Sequence, residues 1–436
     1  MSGVRPGTRH YTLVCSSCGT RYADDGLLLD CPRGHEPAFL RTEYDGTGTR
    51  AGESSEGTGL FRYAPLLPVA RTFPDVPGPV VLPAERLGRR IGLDRLWVAF
   101  NGHWPERGAQ LPTCTFKDLE AYTVLGRLPA DPPVLVIPSA GNTAAAFAWA
   151  AGRHRVPCLL VVPAPALERM RFPAPLDPCV RLVVLDGTAT YSDAIACADL
   201  LAQLPGHHAE GGARNVGRRD GLGTVIPAAA EELGRLPETY VQAVGSGTGA
   251  IGAHETARRL RTGDEALPRL LMCQNTPFTP LYDAWRETGP APAHREHEPL
   301  ARELTNRRPP FTVRGGVRDV LGESGGAVRC TDNESALAAM ALFEEVEGID
   351  IEPGAGVALA ALADAVRAGQ VRRDELVLLN ITGGGRARQA HDLTLIPAEP
   401  WLRVPWPGRD TGPLYVAEQV QRLLTGAGSV VVAEGR

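Results

Sequence analysis

The sequence predicts an α/β fold of two lobes with mostly parallel sheets, and three observations carry that prediction. Short β-branched or aliphatic runs recur along the chain, helical stretches separate them, and glycine-bearing turns stand where runs end and helices open. The runs are PVLVIP (133–138), CLLVVP (158–163), RLVVLD (181–186), YVQAVG (240–245), RLLMCQ (269–274) and ELVLLNI (375–381). Continuous apolar runs of this length suit parallel strands covered on both faces, because a strand with one wet face alternates apolar with polar. Between the first two runs lies SAGNTAAAFAWAAGRHRV, helical by its alanine content. Strand, helix and strand thus fit within the roughly 30 residues of a βαβ unit.

Composition narrows the function. The 436 residues are enough for two or more domains. With 45 Lys+Arg against 50 Asp+Glu and a formal net charge of −5, there is no basic stripe of the kind nucleic acid or an anionic membrane requires. Small-molecule substrates are expected, with no nucleic-acid partner and no membrane. MSGVRPGTRHYTLVCSSCGT holds no apolar signal region, and no run approaches the roughly 18 apolar residues of a membrane span, so the expected location is the cytoplasm. Nine scattered cysteines read as reduced thiols rather than as a disulfide framework.

Among the 45 Lys+Arg residues, Lys117 alone is a lysine. Arginine serves solvation, ion pairing and anion binding, whereas only a primary amine forms a Schiff base with a carbonyl. In TFKDLEAYTVLGRL, Leu119, Tyr122, Leu125 and Leu128 fall three apart, which puts Lys117 at or just before the start of an amphipathic helix. A stray surface lysine is the alternative, and three other segments bear on the choice. In PSAGNT (138–143) a strand closes and a helix opens, so N–H groups around Ser139, Gly141, Asn142 and Thr143 suit a carboxylate, though Asn142 serves equally as a plain N-cap. In VGSGTG (244–249), Gly245, Ser246, Gly247, Thr248 and Gly249 make a strand-to-helix turn able to surround a phosphate. Such turns also serve dinucleotides, and the spacing is not that of a P-loop. In LLNITGGG (378–385), Thr382 offers a neutral hydroxyl to a heteroaromatic nitrogen, or caps a β-turn. Taken together, a Schiff-base lysine, a carboxylate loop, a phosphate cradle and a neutral pyridine partner are what pyridoxal 5'-phosphate requires.

These segments, with YTLVCSSCGTRY, LRTEY, AFNGHWPERGA, GGARNVGRRDGLGTV and CQNTPFTPLYDAW, resemble the fold type II (tryptophan synthase β-like) pyridoxal-phosphate enzymes of the threonine synthase group, over about residues 11 to 390. The resemblance implies that Lys117 is the cofactor-linked catalytic lysine, that Asn142 bonds the pyridoxal 3'-oxygen, that Gly245 to Gly249 hold the phosphate and that Thr382 faces the ring nitrogen. It also implies a homodimer, with the cofactor between a smaller lobe (115–225) and a larger one (61–114 and 226–436). Within the group the chain looks most like the branch that forms L-cysteate, which implies replacement of the phosphate of O-phospho-L-serine by sulfite through an aminoacrylate intermediate. Leaving group and nucleophile are both oxyanions. Arg218 or Arg219, in RNVGRRDG beside Arg214 and Asp220, is therefore expected to meet one of them, with surface salt bridging as the alternative for each arginine. NGHWPERGA offers His103, Glu106 and Arg107 to the same site, and QNTPFTPLYDAW offers Gln274, Asn275, Thr279 and Tyr282 to a substrate entrance. The alternatives are threonine formation from O-phosphohomoserine and water, phosphoserine with another nucleophile, and a cofactor-free zinc-ribbon binding protein.

Residues 1–60 differ in character. Cys15 and Cys18 form CxxC, a 12-residue gap follows, and CPRGH supplies Cys31 and His35. Three thiolates and an imidazole suit tetrahedral Zn, while reduced cysteines packing a β-hairpin are the alternative. The run DGTGTRAGESSEGTG (45–59) reads as a flexible loop, and TGPAPAHREHEPLARE (288–303) as an exposed connection.

Overall fold

The computed structural model describes residues 9–45, 58–286 and 298–425, so most of the run at 45–59 and of the stretch at 288–303 lies outside the described residues. Along the chain run strands β1 (Tyr11–Cys15), β2 (Arg21–Tyr22), β3 (Leu40–Tyr44), β4 (Val80–Pro83), β5 (Leu96–Phe100), β6 (Val134–Pro138), β7 (Cys158–Pro163), β8 (Val180–Asp186), β9 (His207–Ala209), β10 (Thr239–Ala243), β11 (Arg269–Asn275), β12 (Ala327–Thr331), β13 (Val377–Ile381) and β14 (Leu402–Pro405). The helices that position function are α1 (Lys117–Arg127), α2 (Asn142–His154), α3 (Val216–Gly223), α4 (Thr248–Leu260), α5 (Asn333–Glu347), α6 (Pro353–Arg367) and α7 (Gly412–Thr425).

The chain divides into two compact units. The first joins Met1–Ala130 with Gly211–Thr394 and the second joins Asp131–Glu210 with Leu395–Arg436. In the first unit a six-stranded sheet has the order β12-β11-β10-β13-β5-β4, parallel except for the antiparallel edge strand β4. Every residue of β10 and β13 is buried, as the aliphatic runs require of strands covered on both faces. Val98, Phe100, Val241, Leu379 and Ile381 pack with Phe343 and Val346 of α5 and with Val357 and Leu362 of α6 in one core. Each such side chain contributes about 1.5–3 kcal/mol on full burial.

The second unit carries a five-stranded, wholly parallel sheet of order β9-β6-β7-β8-β14. β6, α2 and β7 form the βαβ unit read from the sequence, with β6 and β7 in parallel register from Leu135 opposite Cys158 to Pro138 opposite Val161. The C-terminal segment returns here: β14 extends this sheet beside β8, and Val404, Val416 and Val420 enter the core of Val136, Leu159, Val161, Val183 and Leu185.

At the N-terminus, β1 lies between β2 and β3 in a small antiparallel sheet, and Leu13, Cys15 and Leu40 pack on Val216, the first residue of α3. No helix among the described residues is long and apolar enough to cross a membrane.

Candidate active site

Lys117 is the first residue of α1, and the segment before it is clamped to the turn that follows β13. The Phe116 N–H donates to the Thr382 carbonyl (3.0 Å) and the Gly384 N–H to the Cys114 carbonyl (3.1 Å), with Thr115 bridged to Gly383. A side chain on Gly383 would stand 2.8 Å from Glu352 Cγ and 3.0 Å from the Cys114 carbonyl oxygen. Glycine is what allows the two segments to approach this closely. Two of the four sequence signals, Lys117 and Thr382, are thereby held together.

The glycine turn meets the same segment. A Cβ on Gly249 would lie 2.7 Å from the Gln242 amide nitrogen and 3.0 Å from the Phe116 ring, so this turn packs directly on the residue preceding Lys117. Gly247 adopts φ 79°, the left-handed conformation that turns the chain into α4, whose start has no side-chain cap. The hydroxyls of Ser246 and Thr248 lie 2.6 Å apart at this helix N-terminus. A 13-residue helix opening on backbone N–H groups, with two hydroxyls and no room for a side chain at Gly249, fits a phosphate group.

Lys117 Nζ lies 3.3 Å from Glu120 Oε2 and 4.8 Å from the Phe116 ring centroid, with its side chain 22% exposed. Glu120 is completely buried and also pairs with Arg218, Nη1 to Oε1 at 3.1 Å. Asp118, equally buried, accepts from the Thr113 N–H (2.9 Å) and hydroxyl (3.0 Å), and burial pushes its carboxyl up to about 7 against that hydrogen bonding. The spacing of Leu119, Tyr122, Leu125 and Leu128 predicts an amphipathic α1. The structure instead buries every residue from Asp118 to Arg127, and its polar positions are tolerated because each finds a buried partner. Arg127 donates two 2.8 Å bonds to Asp24, and one of 3.0 Å to Asn215 Oδ1.

Arg218 and Arg219 have different surroundings. Arg219 has no exposure: its guanidinium donates to the Leu40 and Ala213 carbonyls, pairs with Glu255 at 3.2 Å, and lies 4.8 Å over the Phe39 ring. It fastens α3 to β3 and α4. Asp220 does the same work, accepting from Thr42 (2.6 Å), Tyr44 (2.7 Å) and Arg259 (2.8 Å). Arg214 pairs with Asp30 at the surface (2.7 Å). His103 bonds Asp392 (3.0 Å), Glu106 pairs with Arg388 (2.6 Å), and Arg107 lies 5.4 Å over Trp104. Gln274 Oε1 accepts from the N–H groups of Leu281 and Tyr282 and Thr279 donates to Asp283, which fixes the short helix Pro280–Trp285, while Asn275 Oδ1 accepts from the Ala301 N–H.

The loop at 138–143 belongs to the second unit. Ser139 Oγ, buried, accepts from the Gly141 and Ala144 N–H groups, both at 3.0 Å, and so caps α2. Gly141 is the N-cap, with φ 148°. Asn142 is therefore the first helical residue rather than the N-cap, and it and Thr143 are half-buried. Apart from these, Cys15, Cys18, Cys31 and His35 place four ligand atoms within 4.8 Å of one another.

A family model described as "Pyridoxal-phosphate dependent enzyme" matches residues 81–383. The chain is 44% identical over 408 residues to the cysteate synthase of Methanoculleus marisnigri, covering 90% of this chain and 93% of that one. It is 40% identical over 407 residues to that of Methanosarcina acetivorans, covering 90% and 96%. Among solved structures, maize serine racemase superposes with TM-score 0.56 at 16% identity, covering 72% of this chain and 91% of that one. A threonine deaminase from Solanum lycopersicum superposes with TM-score 0.55 at 16% identity, covering 83% and 98%. At such identity these two speak for the fold, whereas the family model and the sequence relatives speak for descent. The chain belongs to the pyridoxal-phosphate-dependent enzymes, in the cysteate synthase family.

Proposed function

We propose that the protein replaces the phosphate of O-phospho-L-serine by sulfite, giving L-cysteate and inorganic phosphate. The observation that carries the reading is the position of the chain's single lysine. It heads a helix whose preceding residue is tied both to the Thr382 turn and to the glycine turn at 245–249. The product follows from relatives that bear the name cysteate synthase. When bound, pyridoxal phosphate supplies an aldehyde and an electron-accepting ring that stabilises negative charge at the α-carbon of an amino acid.

The residues divide the remaining work. The N–H groups at the start of α4, with Ser246 and Thr248, hold the phosphate; Thr382 meets the ring nitrogen without adding charge; and Asn142 takes the 3'-oxygen. Ser139, Gly141 and Thr143 are assigned to the substrate carboxylate, since a helix start offers donors to an anion. Lys117 Nζ removes the α-proton and later returns it. At the β-carbon a C–O bond breaks and a C–S bond forms, so phosphate leaves, sulfite enters and no oxidant is required. Glu120 links Lys117 to Arg218, which places a guanidinium one carboxylate away from the reacting amine. We assign Arg218, rather than the fully enclosed Arg219, to the oxyanion. The same reading places the protein in the cytoplasm, supported by nine cysteines that all stand outside disulfides, as suits a reducing compartment, and takes the active form to be a homodimer.

The test is phosphate release from O-phospho-L-serine and from O-phosphohomoserine, each with and without sulfite. Phosphoserine with sulfite should release phosphate and yield cysteate in equal amounts. Threonine formed from phosphohomoserine without sulfite would overturn the assignment. Within that assay, Arg218→Ala should raise the KM for one oxyanion roughly 10- to 100-fold, as loss of a charge-assisted hydrogen bond implies. Unchanged affinities for both would remove Arg218 from the site.

A further inference from the structure

We infer that Cys15, Cys18, Cys31 and His35 bind one structural zinc ion, and that this ion fixes the loop clamping the catalytic helix α1. In a tetrahedral site, Zn–S bonds of about 2.3 Å put sulfurs about 3.8 Å apart, and a sulfur about 3.6 Å from an imidazole nitrogen. The Cys18 and Cys31 sulfurs are 3.8 Å apart, and Cys15 Sγ is 3.4 Å from His35 Nε2. All four ligand atoms fall within 4.8 Å of one another. A disulfide would require sulfurs about 2.05 Å apart, and all four groups are drawn together rather than one pair.

The surroundings are those of a metal site. His35 Nδ1 lies 2.7 Å from the Glu36 carbonyl oxygen, so Nδ1 carries the proton and the Nε2 lone pair faces the sulfurs. The Ser17 N–H points at Cys15 Sγ (3.4 Å), and the hydroxyls of Thr20 and Tyr22 stand 3.2 and 3.1 Å from Cys18 and Cys31. Three soft thiolates and one imidazole select zinc, and four protein ligands close the coordination sphere, so the ion does no chemistry.

Its consequence lies in the segment that it encloses. Between Cys18 and Cys31 stand Asp24, which takes two bonds from Arg127 at the end of α1, and Leu28, whose carbonyl takes a third at 2.7 Å. Asp30, in the same segment, pairs with Arg214 just before α3. Cys15 ends β1, and β3 beside it grips Asp220 and Arg219 of α3. One ion therefore pins the arm that braces both the lysine-bearing helix and the helix of Arg218.

Metal analysis of the cofactor-loaded enzyme, purified without chelator, should give about one zinc per chain. Cys18→Ser and Cys31→Ser should lose it and Cys179→Ser should keep it. Cobalt taken up in place of zinc should show the visible absorption of a tetrahedral thiolate site. Should the cysteine variants fail to fold, the wild-type enzyme decides alone: Cys18, exposed, should resist a thiol reagent until a strong chelator is added. Folded enzyme that holds far less than one equivalent of zinc and takes up neither added zinc nor cobalt would overturn the proposal. So would a Cys18–Cys31 disulfide found in non-reduced peptides.

Discussion

The two adjacent arginines show how little residue type says without surroundings. In RNVGRRDG, Arg218 and Arg219 are equivalent candidates for an oxyanion. The fold gives Arg219 to two backbone carbonyls, a carboxylate and an aromatic ring, and sets Arg218 against the carboxylate that also faces Lys117. Glu120 and Asp118 escaped sequence reasoning for a related cause. Both fall off the Leu119–Tyr122–Leu125–Leu128 stripe, where acids are ordinarily solvated, and only tertiary burial makes them part of the lysine's surroundings. Asp118 gives a prediction whose sign can be worked out. Its carboxyl is raised from 3.8 to about 7 by burial, so between about pH 4 and pH 7 the native state binds more protons than the unfolded chain. Its contribution to stability is complete below that window and is lost as pH rises through it. At about 1.4 kcal/mol per pH unit, the stability of the wild type relative to Asp118→Asn should fall by several kcal/mol from pH 4 to pH 7. Denaturant titrations of both proteins across that range measure it, and a wild type that gains on the variant as pH rises would contradict the assignment.

At the scale of elements, each glycine turn is defined by what its missing side chain lets in. Gly249 admits the Gln242 amide and the Phe116 ring, so the phosphate-type turn and the lysine segment are a single packing unit. Gly249→Ala should force Phe116 outward and carry Lys117 with it. Misplacement of a reacting group by about 1 Å typically costs on the order of 100-fold in rate, and a loss of roughly 10- to 100-fold in kcat/KM is expected, together with weaker cofactor retention. Unchanged turnover and retention would show that the contact yields freely. The parallel strands were legible because burial on both faces leaves unbroken apolar runs, as in β6 and β7, or runs that a single buried amide interrupts, as Asn380 does in β13. The edge strands β4 and β12 were not, since VVLP and AVRCT have one side without a neighbour and need no such run. The start of α2 was legible as a strand-to-helix turn, but the capping role fell to Ser139, three residues before Asn142, because Gly141 takes the N-cap position with a backbone that only glycine adopts readily.

At the scale of the whole chain, the second unit is closed by a segment far away in sequence. β14 pairs with β8, α7 adds Val416 and Val420 to the core, and ion pairs join Arg403 to Asp186 and Arg409 to Asp193. No local pattern announces such a return: β14 is LRVP, short and with only Val404 buried, and it takes its place beside β8. Its energetic weight follows from burial. Val404, Val416 and Val420 are each at most 1% exposed, and at about 1.5–3 kcal/mol apiece they supply an amount comparable with the roughly 5–15 kcal/mol net stability of a domain. A chain ending at Thr394 should therefore leave the second unit unfolded while the first, whose sheet and core lie wholly within Met1–Ala130 and Gly211–Thr394, remains folded. Hydrogen exchange resolved by peptide distinguishes the two: amides of β6, β7 and β8 should exchange at once in the shortened chain, and those of β10 and β13 should stay protected. Protection retained across β6–β8 would mean that four strands suffice and that the C-terminal segment only decorates the sheet. Protection lost in β10 and β13 as well would mean that the chain folds as one cooperative body.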